Sequence, residues 1–443
     1  MKFSSSPVFP LLHTITWDGF REYGLHDVVM FLHEGIRKCV LWGRSNGLSD
    51  PGVELLLTAL QHHTPSLVAL EVNFPPRPTL LDPLINLIGS LKSLVHLKVP
   101  GFRDTSRILS SIQNPSALKT LEFMTGFFGL EAGGVATIND VLVHYTGVGD
   151  AFSQLERLRA DLRNYKAIYP FFLGQGNFQC LTTVFVYVYA IDEPKSISGL
   201  FQGIAQTCPR MTQLRVQYSP SHCGRVEPQE VNIEFEDWSS ILACKEITVF
   251  RFHTPYPLDL ADHDIADIGL AWPRLETFDL FLNSEYFRTG PPLKNSPSLL
   301  SVFYLTRLCP NLKVVRLNLD DYPLSKTPPF TTENLPVQFH SDDLRVAVLD
   351  SLHIGPGIIN QGDELIWPRL LGQICPPHCE LSRDRQRVLS AYSNPAEDQK
   401  WRTILKLFPQ FSELYSDLRS KDERIGALEQ EVLSLTALKS PTG

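Results

Sequence analysis

The sequence predicts an α/β solenoid in which short parallel strands alternate with helices, followed by a helical tail at the C-terminus. Three observations predict this class. A motif of the form apolar-x-x-apolar-x-apolar recurs twelve times along the 443 residues. Several segments between the copies carry the starting signals of helices. From Phe411 the apolar residues change to alternate steps of three and four, which is typical of a coiled-coil seam.

The twelve copies of the motif have an average spacing of about 31 residues. They begin at Leu12, Ile36, Leu67, Leu94, Leu118, Leu155, Leu181, Met211, Ile247, Leu275, Leu312 and Leu349. Leucine-rich repeats have units of roughly 20–29 residues, so this chain would be an irregular member of that class. We expect a leucine-rich-repeat solenoid, a ribonuclease-inhibitor-like horseshoe with parallel strands on the concave side and helices outside.

Each copy of the motif can form a strand that buries one side. Its second and third apolar residues are two apart and share one face, whereas the residues beside them point to the other face. In the intervening segments DPGVELLLTALQHH and DPLINLIGSL, Asp50 and Asp82 are expected to cap helices whose first turns contain Pro51 and Pro83.

Two copies of the motif are preceded by a Cys-Pro pair, in CPRMTQLRVQY and CPNLKVVRLNLDD. Pro209 and Pro310 prevent the preceding helix from continuing into the next strand. Cys208 and Cys309 are interpreted as small buried apolar residues that close that helix.

These patterns divide the chain into three parts. Residues 1–357 form an irregular leucine-rich-repeat array of about twelve units, because the motif fades after Gly357. Residues 358–408 form a C-terminal cap, which an open array requires at its exposed end. Residues 409–443 form a helical or coiled-coil tail.

Composition excludes several classes of protein. The net charge of −8 and the pI of about 5.9 argue against a surface built for nucleic acid, which requires basic residues. No run of about eighteen apolar residues predicts a membrane span, and Pro7 and Pro10 interrupt the only early apolar run. Because the eight cysteines are scattered, we expect a reducing compartment, the cytoplasm or the nucleus.

No pattern predicts an enzyme, a cofactor or a metal. The chain contains no phosphate-binding glycine loop, no G-x-S-x-G and no H-E-x-x-H. Cys375, His378 and Cys379 in CPPHC resemble half of a zinc site, but no second close pair accompanies them. We interpret CPPHC as a loop that closes the array, and we expect no catalytic residues.

A strip of arginine and aromatic residues is the candidate binding face. The fifth position of each motif copy should point into the concavity, and four of the six residues there from Arg159 to Arg316 are arginine. The predicted protein-binding residues are Arg157, Arg159, Phe185, Tyr187, Arg215, Arg251, His253 and Arg316. They would hold an acidic or phosphorylated peptide. The alternative is that charged side chains here only keep the sheet soluble.

The tail carries seven apolar residues at coiled-coil spacing, interrupted by Lys421. They are Phe411, Leu414, Leu418, Ile425, Leu428, Val432 and Leu435. This spacing predicts a homodimer formed through residues 411–435. A helix that folds back on the array is an equally good interpretation.

Four segments, FPLLHTITW, FLHEGIRKCVLWG, CPRMTQLRV and CPNLKVVRL, resemble the repeat region of the F-box and leucine-rich-repeat proteins of mushroom-forming (basidiomycete) fungi. The resemblance covers about residues 8 to 355. It implies a substrate-recognition arm of a cullin-type ubiquitin ligase. In that family an F-box precedes the repeats and binds the Skp adaptor. The repeats here begin at Leu12 and no F-box is found, which argues against Skp binding. The alternative function is a free-standing scaffold or inhibitor without a ligase link.

Overall fold

The structure is a computed structural model, and it describes the larger part of the chain. The described residues are 9–19, 25–43, 50–102, 105–112, 114–124, 151–162, 164–174, 178–189, 194–218, 232–280, 295–319, 349–355, 366–383 and 395–438. They form two compact units, Met1–Pro257 and Leu258–Gly443. The predicted boundary between residues 357 and 358 lies outside the described residues.

The first unit alternates strands with helices. Its strands are β1 Thr14–Gly19, β2 Lys38–Gly43, β3 Ala69–Asn73, β4 His96–Pro100, β5 Thr120–Met124, β6 Arg157–Leu162, β7 Thr183–Val188, β8 Gln213–Tyr218, β9 Ile233–Glu234 and β10 Val249–His253. Its helices are α1 Leu25–Val29, α2 Asp50–His63, α3 Pro78–Ser90, α4 Ser106–Ser111, α5 Tyr169–Gly174 and α6 Pro194–Thr207. Short 3-10 helices lie at Pro115–Ala117, Tyr165–Ala167, Phe235–Asp237 and Ser239–Ala243.

The second unit follows the same alternation. Its strands are β11 Leu258–Asp259, β12 Thr277–Asp279, β13 Val314–Leu317, β14 Ser351–Ile354 and β15 Glu380–Arg383. Its helices are α7 Asp262–Ala271, α8 Leu299–Leu308, α9 Ile366–Ile374 and α10 Pro395–Leu438. The single helix α10 crosses the predicted division between cap and tail at residue 408, and that division stays a prediction.

Every motif copy coincides with a strand that begins two residues after the first apolar position, as Arg157 follows Leu155. In the first unit, consecutive strands from β1 to β8 pair in parallel, and β8 pairs with β10. In the second unit β12 to β15 pair in the same way. Parallel strands in chain order with helical crossovers confirm the predicted α/β class.

One detail of the prediction is wrong. The helix expected to begin at Asp82 begins at Pro78, so Pro83 lies inside α3. Pro78 provides the fixed φ of a first helical residue, which makes it the better starting signal. Beyond the twelfth copy, one further strand, β15, pairs in parallel with β14.

The Cys-Pro pairs act as predicted. The amides of Cys208 and Cys309 bond the carbonyls of Ile204 and Leu305 at 2.8 and 2.9 Å, which closes the last turns of α6 and α8. Both thiols are buried, and burial raises their pKa to about 12. They are therefore neutral apolar groups rather than reactive thiolates.

Candidate functional site

The predicted binding residues of the first unit lie on one face of its sheet. Along β10 the buried residues Phe250 and Phe252 alternate with half-buried Arg251 and His253. Phe250 and Phe252 contact the ring of Phe201 in α6, at 6.3 and 5.2 Å between centroids. Because successive side chains of a strand point to opposite faces, Arg251 and His253 point away from α6.

The register places these residues in cross-strand rows. One row runs Arg159, Phe185, Arg215 and Arg251 along β6, β7, β8 and β10. The next row runs Asp161, Tyr187, Gln217 and His253. Neighbouring strands are about 4.8 Å apart, so residues of one row are in reach of each other. We define the arginine–aromatic strip as Arg157, Arg159, Phe185, Tyr187, Arg215, Arg251 and His253.

The aromatic rings of the strip lie against its guanidinium groups. Phe185 lies between Arg157 and Arg215, whose guanidinium carbons are 5.0 and 4.7 Å from its ring centroid. Arg159 lies over the ring of Tyr187 at 4.7 Å. Phe185 is only 8% exposed. Its role is therefore to position two arginines through cation–π contacts, rather than to offer a free apolar surface.

Two carboxylates partly neutralise the strip. Arg157 Nε is 3.1 Å from Glu122 Oε1, and Arg159 Nε is 3.2 Å from Oδ1 of the buried Asp161. Burial is the largest single effect on Arg159 and lowers its pKa, but the charge and hydrogen bond of Asp161, together with Tyr187 and Glu122, outweigh burial and the pKa is raised. Arg159 therefore stays charged although it is half-buried. Sequence reasoning missed the role of Asp161, although the i, i+2 spacing from Arg159 placed both on one face.

On the described strands that carry the strip, arginines outnumber carboxylates. On the described strands β5 to β8 and β10, four arginines are set against the two carboxylates Glu122 and Asp161. The ring of His253 shares a hydrogen bond of 3.4 Å with the side-chain amide of Gln217. The strip thus combines guanidinium groups, two aromatic rings and the imidazole of His253, with the amide of Gln217 beside it. This set of groups can bind carboxylate or phosphate.

Arg316, the remaining predicted binding residue, belongs to the second unit. Its Nη1 is 3.5 Å from Oδ2 of the fully buried Asp279. On the next strand, His353 bonds the hydroxyl of Ser351 at 2.8 Å through Nε2 and the hydroxyl of Ser382 through Nδ1.

A cavity of about 530 Å³ lies in the second unit. It is lined by Ala261, Asp262, His263, Ala266, Asp267, Leu270 and Tyr304. The carboxylate of Asp262 accepts hydrogen bonds from the amide and hydroxyl of Ser298 and from the hydroxyl of Ser301, at 2.5–2.8 Å. These bonds explain Asp262 as a structural residue that fixes the start of α8.

The CPPHC segment has a structural position that parallels the Cys-Pro pairs. The amide of Cys375 bonds the carbonyl of Leu371 at 2.7 Å, which closes α9 before β15. His378 Nε2 is 3.9 Å from Asp350 Oδ1. Among the described residues, no group of three or more metal-ligating side chains could hold a metal ion. In the same part of the chain, no helix has the length and hydropathy needed to cross a membrane.

Comparisons with known proteins do not assign this chain to a family. No family model matches the chain, and no curated protein is similar to it. A solved structure that resembles it is described as "Crystal structure of Rad7 and Elc1 complex in yeast", with 15% sequence identity and a TM-score of 0.37. The match covers 86% of this chain and 85% of that chain. Similarity at that level supports no statement about function.

Proposed function

We propose that this chain is a leucine-rich-repeat protein that binds another protein through the arginine–aromatic strip. The ligand is an anionic peptide segment, either acidic or phosphorylated. The observation that carries the proposal is the position of Phe185 between Arg157 and Arg215 on the sheet face that points away from the helices.

Arginine suits this role because its planar guanidinium donates two parallel hydrogen bonds to one carboxylate or phosphate. Hydrogen bonds to charged groups contribute about 1.5–3 kcal/mol each. Two engaged arginines therefore provide about 3–6 kcal/mol, which changes affinity by two to four orders of magnitude.

The contacts with Phe185 and Tyr187 also lower the cost of binding. A free arginine loses rotamer freedom when it binds a ligand, and that loss opposes affinity. Arg159 is already held by Asp161 and the Tyr187 ring, and Arg215 by the Phe185 ring. Side chains that serve only solubility need no such positioning, so the geometry favours a binding face over a merely solvated one.

The sequence resemblance supports one form of this function, a substrate-recognition arm related to the F-box receptors of cullin-type ubiquitin ligases. Copurification of the full chain with a Skp-type adaptor and a cullin tests it. A chain that binds its peptide but neither ligase component is a free-standing scaffold or inhibitor instead.

The test of peptide binding uses an array of acidic, phosphorylated, neutral and basic peptides, probed with the full chain. We expect binding to acidic or phosphorylated peptides that weakens as salt increases. The double variant Arg159→Gln with Arg215→Gln should lose it. Glutamine is preferable to glutamate, because a carboxylate at 159 would lie beside buried Asp161.

The matched control removes two exposed basic groups elsewhere in the first unit, in the variant Arg37→Gln with Arg107→Gln. It changes the net charge by the same amount and should retain binding. Equal loss in both double variants would mean that net charge, not the strip, attracts the peptides. Binding that survives Arg159→Gln with Arg215→Gln would contradict the proposal.

A further inference from the structure

Helix α10 presents a stripe of large apolar side chains to solvent. Leu414, Leu418, Ile425 and Leu428 are 52%, 44%, 54% and 53% exposed. Successive members are four, seven and three residues apart, so all four lie on one side of the helix. A contiguous exposed apolar surface of this kind marks an interaction site.

The earlier part of α10 is docked on its own unit by another face. Trp401, Ile404 and Phe408 are buried. Ser412 Oγ donates to the carbonyl of Cys375 at 2.7 Å, and Gln373 Nε2 donates to Tyr415 Oη at 3.0 Å. The part of α10 up to Tyr415 therefore packs on its own unit, and the exposed stripe begins at Leu414.

The sequence identifies what fits the exposed stripe. The spacing continues through Val432 and Leu435, so one seam position holds Leu418, Ile425 and Val432, and the other holds Leu414, Leu428 and Leu435. Two of the three residues at the first position are β-branched, and three of the four at the second position, which also holds Lys421, are leucine. β-branched residues at the first position with leucine at the second favour two parallel strands. The helix extends to Leu438, which gives the seam about three and a half heptads from Leu414.

The charges beside the seam suit a second copy in part. In a parallel pair, heptad position 424 lies opposite position 429 of the second copy, where the sequence has Arg and Glu, which attract; position 417 lies opposite 422, where it has two Asp, which repel. Lys421 occupies a seam position and faces its own copy. Such a pair is weakened by like charges, so it should associate reversibly and more tightly at high salt.

We propose that a second copy of this chain docks along α10 from Leu414 onward and forms a parallel two-stranded coiled coil. The exposed seam and its β-branched and leucine positions carry the assignment. It goes beyond the proposed function and does not depend on the arginine–aromatic strip.

Light scattering across a concentration series of the full chain tests the proposal. We expect a mass that rises from 50.0 kDa to twice that value. A chain ending at Ser416 keeps the contacts of Ser412 and Tyr415 with its own unit and should stay monomeric. Leu428→Asp should also abolish the rise, whereas Ala427→Asp, one residue away and outside the seam, should preserve it.

A variant that should associate more tightly than the natural chain provides the second part of the test. Lys421→Leu fills the only charged seam position and should lower the dissociation constant at least tenfold. Under oxidising conditions, Leu414→Cys and Leu428→Cys should each form a disulfide with its own copy, as in-register parallel helices require. A full chain that stays monomeric with Lys421→Leu, or cross-links only between the two cysteine variants, would overturn the proposal.

Discussion

The substitution Phe185→Leu tests whether the ring of Phe185 positions the arginines of the strip. Leucine keeps an apolar side chain at this buried position but removes the π face that contacts Arg157 and Arg215. A cation–π contact contributes about 0.5–1 kcal/mol at an exposed site. Arg157 is nearly half exposed, which places its contact at the lower end. The two contacts together should contribute about 1–2 kcal/mol.

A double-mutant cycle isolates these contacts from the change in packing. Urea unfolding is measured for Phe185→Leu, for Arg215→Met, which keeps an unbranched apolar stem, and for both together. We expect a coupling energy of about 0.5–1 kcal/mol for this pair. Phe185→Leu with the exposed control Arg107→Met should be additive.

The same variants are titrated with the best peptide from the array. Phe185→Leu should weaken binding about three- to tenfold although it removes no charge, because Arg157 and Arg215 must then be ordered on binding. A coupling energy near zero together with unchanged peptide affinity would refute the role assigned to Phe185.

Three further predictions concern the carboxylate of the strip, a close helix contact and the thiols. Asp161→Asn should destabilise the fold, because Asp161 is a buried partner of Arg159. The same variant should bind anionic peptides more tightly; equal affinity in a peptide titration would count against the idea that Asp161 neutralises the charge of Arg159. Gly372→Ala should lower the free energy of unfolding in urea by about 1–3 kcal/mol, because the added Cβ would lie 2.9 Å from the backbone carbonyl carbon of Phe411. Gly89→Ala should not lower it, because a Cβ at Gly89 meets its neighbours only at ordinary contact distance. Iodoacetamide at pH 8 should label half-buried Cys180 in the folded chain and leave buried Cys39, Cys208 and Cys309 unmodified. Rapid labelling of these three thiols would contradict their pKa of about 12. Because the unfolded chain releases these protons near pH 9.0, stability present below pH 9 should be lost as the pH rises toward 12.

The strands could be predicted from the sequence because their signal is periodic. Two apolar residues that are two positions apart share the buried face of a strand. Every copy of the motif begins two residues before its strand, so the motif also predicts which residues lie in one cross-strand row. This is why Arg159 and Arg215 were correctly expected in one row with Phe185.

Features outside the periodic signal could not be predicted in the same way. Strand β15 was missed because His378 and Arg383 stand where the motif requires apolar residues, although Leu381 lies in register with Leu352. The ion pair of Arg159 with Asp161 depends on side-chain rotamers, which the strand pattern does not determine.

Site-specific photo-crosslinking measures most directly whether the strip holds the partner peptide. Benzoylphenylalanine replaces Tyr187 in one variant of the full chain, which keeps an aromatic ring beneath Arg159. In the control it replaces Leu173, an exposed residue on α5. After irradiation with the bound acidic or phosphorylated peptide, the account predicts a cross-link at 187 and none at 173. Efficient cross-linking at 173 with none at 187 would contradict it, because the peptide would then lie on the helical side of the first unit.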